Sequence, residues 1–326
     1  QRKFGVDGIH EVERFGLKFS NPLGMAAGFD KNGVVVNQLA SLGFGFVEVG
    51  TVTFEAQTGN EKPRLFRLHE DKALINRLGF NNEGTRSVVE RLKQIDPKCV
   101  VGVNIGKNKN VPNEEAIENY LKSFDLAFEV ADYIAVNVSS PNTPNLRELQ
   151  KAKSLEELLG ALQKRNEELS DKNVRAGRTH DSRRDGSATP KPLLVKIAPD
   201  LKDDEIESIV DIAMSLNLSG IIATNTTIDR SGLKTDAGEV SGIGDGGLSG
   251  KPIGHRSNEV IRKIYKHSNG KLPIVGVGGI FTAEDAFKKI AAGACLVQAY
   301  TGFIYEGFGF AKSINTGLAE IVKEKG

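Results

Sequence analysis

Eight short apolar runs constrain this chain more than any other feature. Residues 22–28, 46–52, 100–106, 133–139, 193–199, 220–226, 273–279 and 295–301 are β-branched or small-residue stretches, apolar almost throughout. A strand with one wetted face alternates apolar with polar residues, whereas a strand covered on both faces, as in a parallel sheet, does not need to. Between the runs the period changes. Leu155, Leu158, Leu159 and Leu162 recur at helical spacing, as do Ile206, Ile209, Val210 and Ala213. Residues 32–42, 85–95, 114–130, 258–267 and 283–292 fill the other intervals, and a last helix is expected over about 309–324. Ser154 with Glu157 predicts a capping box where the fourth helix starts. Residues 12–19 alternate around Gly16 and predict an N-terminal β-hairpin.

Eight strands alternating with eight helices predict an α/β fold, a (β/α)8 TIM barrel forming a single domain over residues 1–326. A doubly wound open sheet is disfavoured, since no GxGxxG turn follows the first run. Two long insertions, residues 53–84 and 228–256, follow the second and sixth strands and so belong to the active face. Residues 171–190 lie between the fourth helix and the fifth strand, at the opposite end. They are polar, charged and unpatterned, which predicts a disordered loop.

Composition removes several classes of function. A net charge of +1 over 326 residues supplies no global field for nucleic acid. The five histidines are scattered without HxH or HExxH spacing, so no metal site is expected. Cys99 and Cys295 give neither a disulfide framework nor a metal spacing, and read as buried strand thiols. No apolar run approaches the ~20 residues of a spanning helix, and the opening residues have no signal-peptide pattern.

In barrel enzymes the chemistry sits at the C-terminal ends of the strands. Those ends carry Ala26-Ala27-Gly28, Gly50-Thr51, Asn104, Asn137-Val138-Ser139-Ser140, Lys196, Thr224-Asn225-Thr226, Gly278-Gly279 and Tyr300-Thr301. Lys196 stands inside an apolar run, and a buried ammonium requires a partner at the barrel mouth. Gly278-Gly279, Tyr300-Thr301 and the loop Ser249-Gly250 form a candidate phosphate cradle of backbone N–H groups. Asn76, Asn104, Asn137, Asn142 and Asn225, with Thr224 and Thr226, suit a planar heterocycle of alternating donors and acceptors. No His–Asp pair is apparent to activate Ser140 as an acyl nucleophile. Ser140 is instead a candidate proton relay, with a cofactor taking the hydride.

These residues carry a family resemblance. Asn137-Val138-Ser139-Ser140-Pro141-Asn142-Thr143, Ala26-Ala27-Gly28-Phe29-Asp30-Lys31-Asn32-Gly33 and Gly247-Leu248-Ser249-Gly250-Lys251-Pro252 resemble the dihydroorotate dehydrogenases. So do Ile75-Asn76-Arg77-Leu78-Gly79-Phe80-Asn81 and Gly276-Val277-Gly278-Gly279. The active-site loop has serine where the soluble class has cysteine, so the resemblance is to class 2, membrane-associated and quinone-using. It implies bound FMN, oxidation of (S)-dihydroorotate to orotate in de novo pyrimidine synthesis, and a ubiquinone-type oxidant.

It further implies that Ser140 takes the C5 proton while Lys31, Asn76, Phe80, Asn137, Asn142, Asn225 and Thr226 hold the substrate. The FMN site would use Ala26, Ala27, Gly28, Lys31, Thr51, Asn104, Asn137, Lys196, Thr224, Ser249, Gly250, Gly278, Gly279, Tyr300 and Thr301. The flavin would then be the partner Lys196 requires, and Arg67 with Tyr300 would line a quinone tunnel. Class 2 enzymes dock on a mitochondrial inner membrane or a bacterial plasma membrane through an N-terminal helical pair. Only about eleven residues precede the hairpin here, so the expectation is a trimmed chain that is soluble alone. The alternative is a non-redox barrel lyase or isomerase acting on a phosphorylated metabolite through Lys196.

Overall fold

The computed structural model describes residues 11–175 and 190–325. The chain opens with the expected hairpin, β1 (Val12–Arg14) and β2 (Leu17–Phe19), paired antiparallel. Phe15 and Gly16 between them both have positive φ, 56° and 69°. That is the backbone of a two-residue turn matching strand twist, and glycine supplies the second position without strain.

The elements then run β3 (Leu23–Met25), α1 (Val36–Ser41) and β4 (Phe46–Val52), followed by β5 (Leu65–Leu68), β6 (Ala73–Asn76), α2 (Thr85–Lys93) and β7 (Val100–Ile105). Next come α3 (Ala116–Ala127), β8 (Tyr133–Asn137), α4 (Ala152–Arg175), β9 (Leu193–Ile197) and α5 (Asp203–Ser215). The remainder is β10 (Gly220–Ala223), α6 (Ala237–Ile243), β11 (Gly247–Gly250), α7 (Gly254–His267), β12 (Ile274–Val277), α8 (Ala283–Ala291), β13 (Leu296–Ala299), α9 (Thr301–Glu306) and α10 (Phe310–Lys325).

Strands β3, β4, β7, β8, β9, β10, β12 and β13 pair in parallel and close into a barrel in chain order. The fold is therefore the expected TIM barrel. Period 2 sorts each strand between two cores. Val47 and Val49, Ile134 and Val136, and Val195 and Ile197 face outward into the layer packed under the helices. Phe46, Tyr133, Ala135, Leu194, Ile222 and Leu296 face the barrel axis, where Leu17 and Phe19 of the hairpin join them. Phe19 meets Phe46 edge-on at 5.3 Å, so the hairpin plugs the N-terminal end of the barrel. The same alternation sends Glu48, Asn104, Asn137, Lys196, Thr224 and Gln298 inward, one pleat or more above that apolar floor.

The two insertions meet. β5 and β6 from the first and β11 from the second form an antiparallel three-stranded sheet of order β11-β6-β5 over the mouth. The α1 helix is shorter than the expected 32–42. Asp30 accepts from the backbone N–H groups of Val34 and Val35 at 2.9 and 2.8 Å and holds residues 30–35 in a turn. The Ser154–Glu157 capping box does not form. The N–H of Leu155 donates to the Lys151 carbonyl at 2.9 Å, so the helix begins at Ala152 and Ser154 lies inside its first turn. Of the segment 171–190, residues 171–175 continue α4, whereas the expected disorder of residues 176–189 lies outside the described residues. Cys99 and the partly buried Cys295 each stand one residue before a strand rather than within it.

Candidate active site

A cavity opens at the C-terminal end of the barrel, between the strand ends and the three-stranded sheet. Its lining includes Ala26, Ala27, Gly28, Lys31, Thr51, Asn76, Phe80, Asn137, Ser140, Asn142, Lys196, Thr224, Asn225 and Thr226. Ser249, Gly250, Gly278, Gly279, Tyr300 and Thr301 line it too. Of the residues singled out in the sequence, Asn104 and Arg67 stand outside the lining. Asn104 is fully buried one level below, and Arg67 stacks over the Tyr305 ring at 5.2 Å.

A ladder of side-chain hydrogen bonds fixes the strand ends. Thr51 Oγ1 donates to Asn104 Oδ1 at 2.6 Å, and Asn137 Nδ2 donates to Thr51 Oγ1 at 2.9 Å. Asn225 Nδ2 donates to Asn137 Oδ1 at 3.2 Å and to Ser139 Oγ at 2.9 Å. Each bond restricts a rotamer, so the Thr51 hydroxyl on β4, the Asn137 amide on β8 and the Asn225 amide just after β10 reach the cavity already oriented, with Asn104 on β7 bracing them from below. On the loop after β8, Ser140 Oγ accepts from the Asn142 N–H at 3.2 Å. Asn142 Nδ2 donates across the cavity to Asn76 Oδ1 at 3.0 Å and to the Asn76 carbonyl at 3.1 Å. Asn76 in turn donates to the Gly247 carbonyl at 3.2 Å. Residues far apart in the chain thus form one wall. Phe80, buried with φ 51°, packs beside them.

Two cations enter this cavity. Burial pushes Lys31 down to about 8, with the Arg64 guanidinium adding to the effect. The lowered value marks a lysine lacking the anion that would stabilise its charge. Lys196 is nearly buried and also lowered by burial, opposed by Glu48 at 3.8 Å. A bound group is the partner expected for Lys196 from the family resemblance. The structure adds one within the barrel itself.

Glu48 is the main residue that sequence reasoning missed. Its side chain is fully buried on β4. Asn104 donates to its Oε1 at 2.8 Å, while Tyr133 and Gln298 donate to its Oε2 at 3.0 and 2.7 Å. Gln298 also lines the cavity. A carboxylate inside the apolar run 46–52 was the available signal, the same one that drew attention to Lys196. Arg147 was missed as well. It donates to the carbonyls of Ser139 and Thr226, both at 3.0 Å, and pairs with Asp200 at 2.8 Å. It thereby ties the loop of Ser140 to the end of β10.

The far side of the cavity is built for an anion. Gly250, Gly278 and Gly279 all have positive φ. A Cβ at Gly279 would lie 2.4 Å from the Gly254 Cα, so only glycine lets these backbones approach. Ser249 Oγ and Thr301 Oγ1 lie 2.9 Å apart beside them. Thr224 Oγ1 is buried at the cavity without a hydrogen-bond partner. Buried hydroxyls are rarely left unpaired, so this one points to a polar group of a ligand. Among the described residues no cluster of three or more His, Cys, Asp or Glu could hold a metal, and no helix is long and apolar enough to cross a membrane.

Comparison with known proteins agrees with this geometry. A model of the dihydroorotate dehydrogenase family matches residues 10–322. A protein named dihydroorotate dehydrogenase (quinone) from Christiangramia forsetii is 53% identical over 319 residues, covering 98% of this chain and 87% of that protein. One of the same name from Corynebacterium efficiens is 47% identical over 326 residues, covering 100% and 80%. A crystal structure of the Eimeria tenella enzyme in complex with ferulenol superimposes with a TM-score of 0.90 at 39% identity, covering 100% of this chain and 87% of that one.

Proposed function

The chain belongs to the dihydroorotate dehydrogenase family, and from that premise we propose that it oxidises (S)-dihydroorotate to orotate with FMN and a ubiquinone-type quinone, in de novo pyrimidine synthesis. The observation that carries this is the convergence of Ser140, Lys31 and the hydrogen-bonded asparagines on one cavity with a glycine cradle at its far side. The residues fit FMN as a resident of this single barrel domain. Its phosphate suits Gly250, Gly278, Gly279 and Thr301. The unpaired Thr224 hydroxyl, Thr51, Lys196 and the strand end at Ala26, Ala27 and Gly28 suit its ring and ribityl chain.

Bound FMN supplies a two-electron acceptor for hydride from C6 of the substrate. The protein's own residues do the rest. Lys31 pairs with the substrate carboxylate, which removes the destabilisation of its buried charge. Asn76, Asn137, Asn142, Asn225 and Thr226 present amide and hydroxyl groups to the ring, and Phe80 covers it against water. Ser140 acts as a relay: its Oγ takes the proton lost from C5 as the C5–C6 double bond forms and passes its own hydroxyl proton on to solvent. Lys196 forming a Schiff base is not favoured, because its ammonium is engaged with Glu48.

A quinone requires an apolar route to the cavity. Tyr300 packs edge-on to Phe29 at 6.0 Å, Phe29 to Phe303 at 5.2 Å, and Phe303 to Phe308 at 6.4 Å. Phe308 is 79% exposed, so an aromatic string leads from the cavity lining to the surface. The apolar oxidant would meet the protein there, which suits peripheral contact with a membrane. Quinone, fumarate and NAD⁺ should be compared as oxidants in one assay. Turnover with quinone is expected, and turnover with fumarate or NAD⁺ alone would overturn the class 2 reading.

A further inference from the structure

The buried carboxylate of Glu48 has no part in holding substrate, and its surroundings are unusual. A fully buried ionised group is costly unless it is paired and hydrogen-bonded. Glu48 accepts hydrogen bonds from Asn104, Tyr133 and Gln298, and the Lys196 Nζ lies 3.8 Å from its Oε1. Burial and the nearby Glu48 hold the Tyr133 phenol well above its ordinary range, so Tyr133 remains a donor. Amide N–H groups and a phenol O–H on both oxygens describe an acceptor-only carboxylate. The pair also has a direction. Glu48 lies below the cavity floor, whereas Lys196 lines the cavity.

We propose that Glu48 is a positioning residue that keeps Lys196 a cation against the cavity floor, and so raises the midpoint potential of the flavin bound above it. This rests on the FMN-dependent reading given above. Without Glu48 the buried Lys196 has lost the group that opposes its desolvation, and it sheds its proton. A positive charge at the cavity favours the more negative, reduced form of the bound group. Its loss therefore disfavours reduction.

The test is the midpoint potential of bound FMN, measured spectroelectrochemically at a single pH in holoenzyme carrying Glu48→Gln, Glu48→Asp, Lys196→Met or Glu48→Gln with Lys196→Met. In Glu48→Gln the ratio of reduced to oxidised flavin at a fixed poise should fall roughly tenfold or more. Glu48→Asp, which keeps the charge, should stay near wild type. Lys196→Met should lower the potential on its own yet add nothing to Glu48→Gln. An unchanged or raised potential in Glu48→Gln overturns the inference, as does a further fall in the double variant. Should Glu48→Gln fail to retain flavin, reduced-minus-oxidised infrared difference spectra of the wild-type holoenzyme decide. A carboxylate signal without a protonated-carboxyl band supports the proposal, and a protonated Glu48 band refutes it. Wild-type protein that binds no FMN would instead sink the functional reading, so the two failures are distinguishable.

Discussion

Lys31 should make ligand binding depend on pH with a definite sign. Free Lys31 titrates at about 8, because burial and the Arg64 guanidinium disfavour its charge. A bound carboxylate favours the ammonium form and raises that value, so the complex binds a proton more tightly than the free site. Affinity for orotate is then full below pH 8 and falls as pH rises through it. With a group at about 8, the protonated fraction is about nine tenths at pH 7 and one tenth at pH 9. If the ammonium form alone binds, Kd should rise about tenfold over that span, ~1.4 kcal/mol. Titrating the flavin absorbance of holoenzyme with orotate at several pH values measures this. Lys31→Met should bind more weakly and lose the dependence, while Lys31→Arg should bind but also lose it. The same slope in Lys31→Met would assign the titration to another group, and a flat wild-type profile would refute the reasoning.

Three further substitutions separate the roles within the cavity. Ser140→Ala removes one hydrogen bond, from the Asn142 N–H, a stability cost of about 0.5–1.5 kcal/mol. It should nevertheless slow anaerobic flavin reduction in stopped flow by roughly 10²–10⁴, with orotate affinity nearly unchanged. Arg147→Lys cannot span the Ser139 and Thr226 carbonyls and Asp200 together. It should lower the reduction rate by about tenfold to a hundredfold and leave Kd for orotate near wild type; an unchanged rate would make Arg147 a surface residue only. Thr224→Val replaces a hydroxyl that has no partner within the protein. It should leave Tm intact and speed FMN release, read by recovered flavin fluorescence, by roughly two- to tenfold.

Much of this architecture is legible in the sequence, because a parallel barrel writes itself as continuous apolar runs. Strand ends then rank residues without any knowledge of contacts, which is how Ser140, Asn137 and Lys196 come forward together. The three-stranded sheet over the mouth was not legible. Its strands are four residues each, and β11 pairs with β6 across some 170 positions of chain. Local pattern contains no trace of such a pairing. Glu48 was hidden for another reason: its neighbours Val47 and Val49 face the helices while it faces the barrel axis. A run read only as apolar conceals a single inward polar residue. The Ser154 capping motif misled because a helix start is set by the backbone at Lys151, and the motif alone does not locate it.

The central claim is that this cavity takes hydride from dihydroorotate onto FMN. The most direct measurement is the absorption spectrum of purified protein before and after anaerobic addition of dihydroorotate. A yellow protein whose flavin band bleaches on addition, and returns when quinone is admitted, is the predicted result. A colourless protein that binds no FMN, or a flavin that stays oxidised in the presence of dihydroorotate, would contradict it.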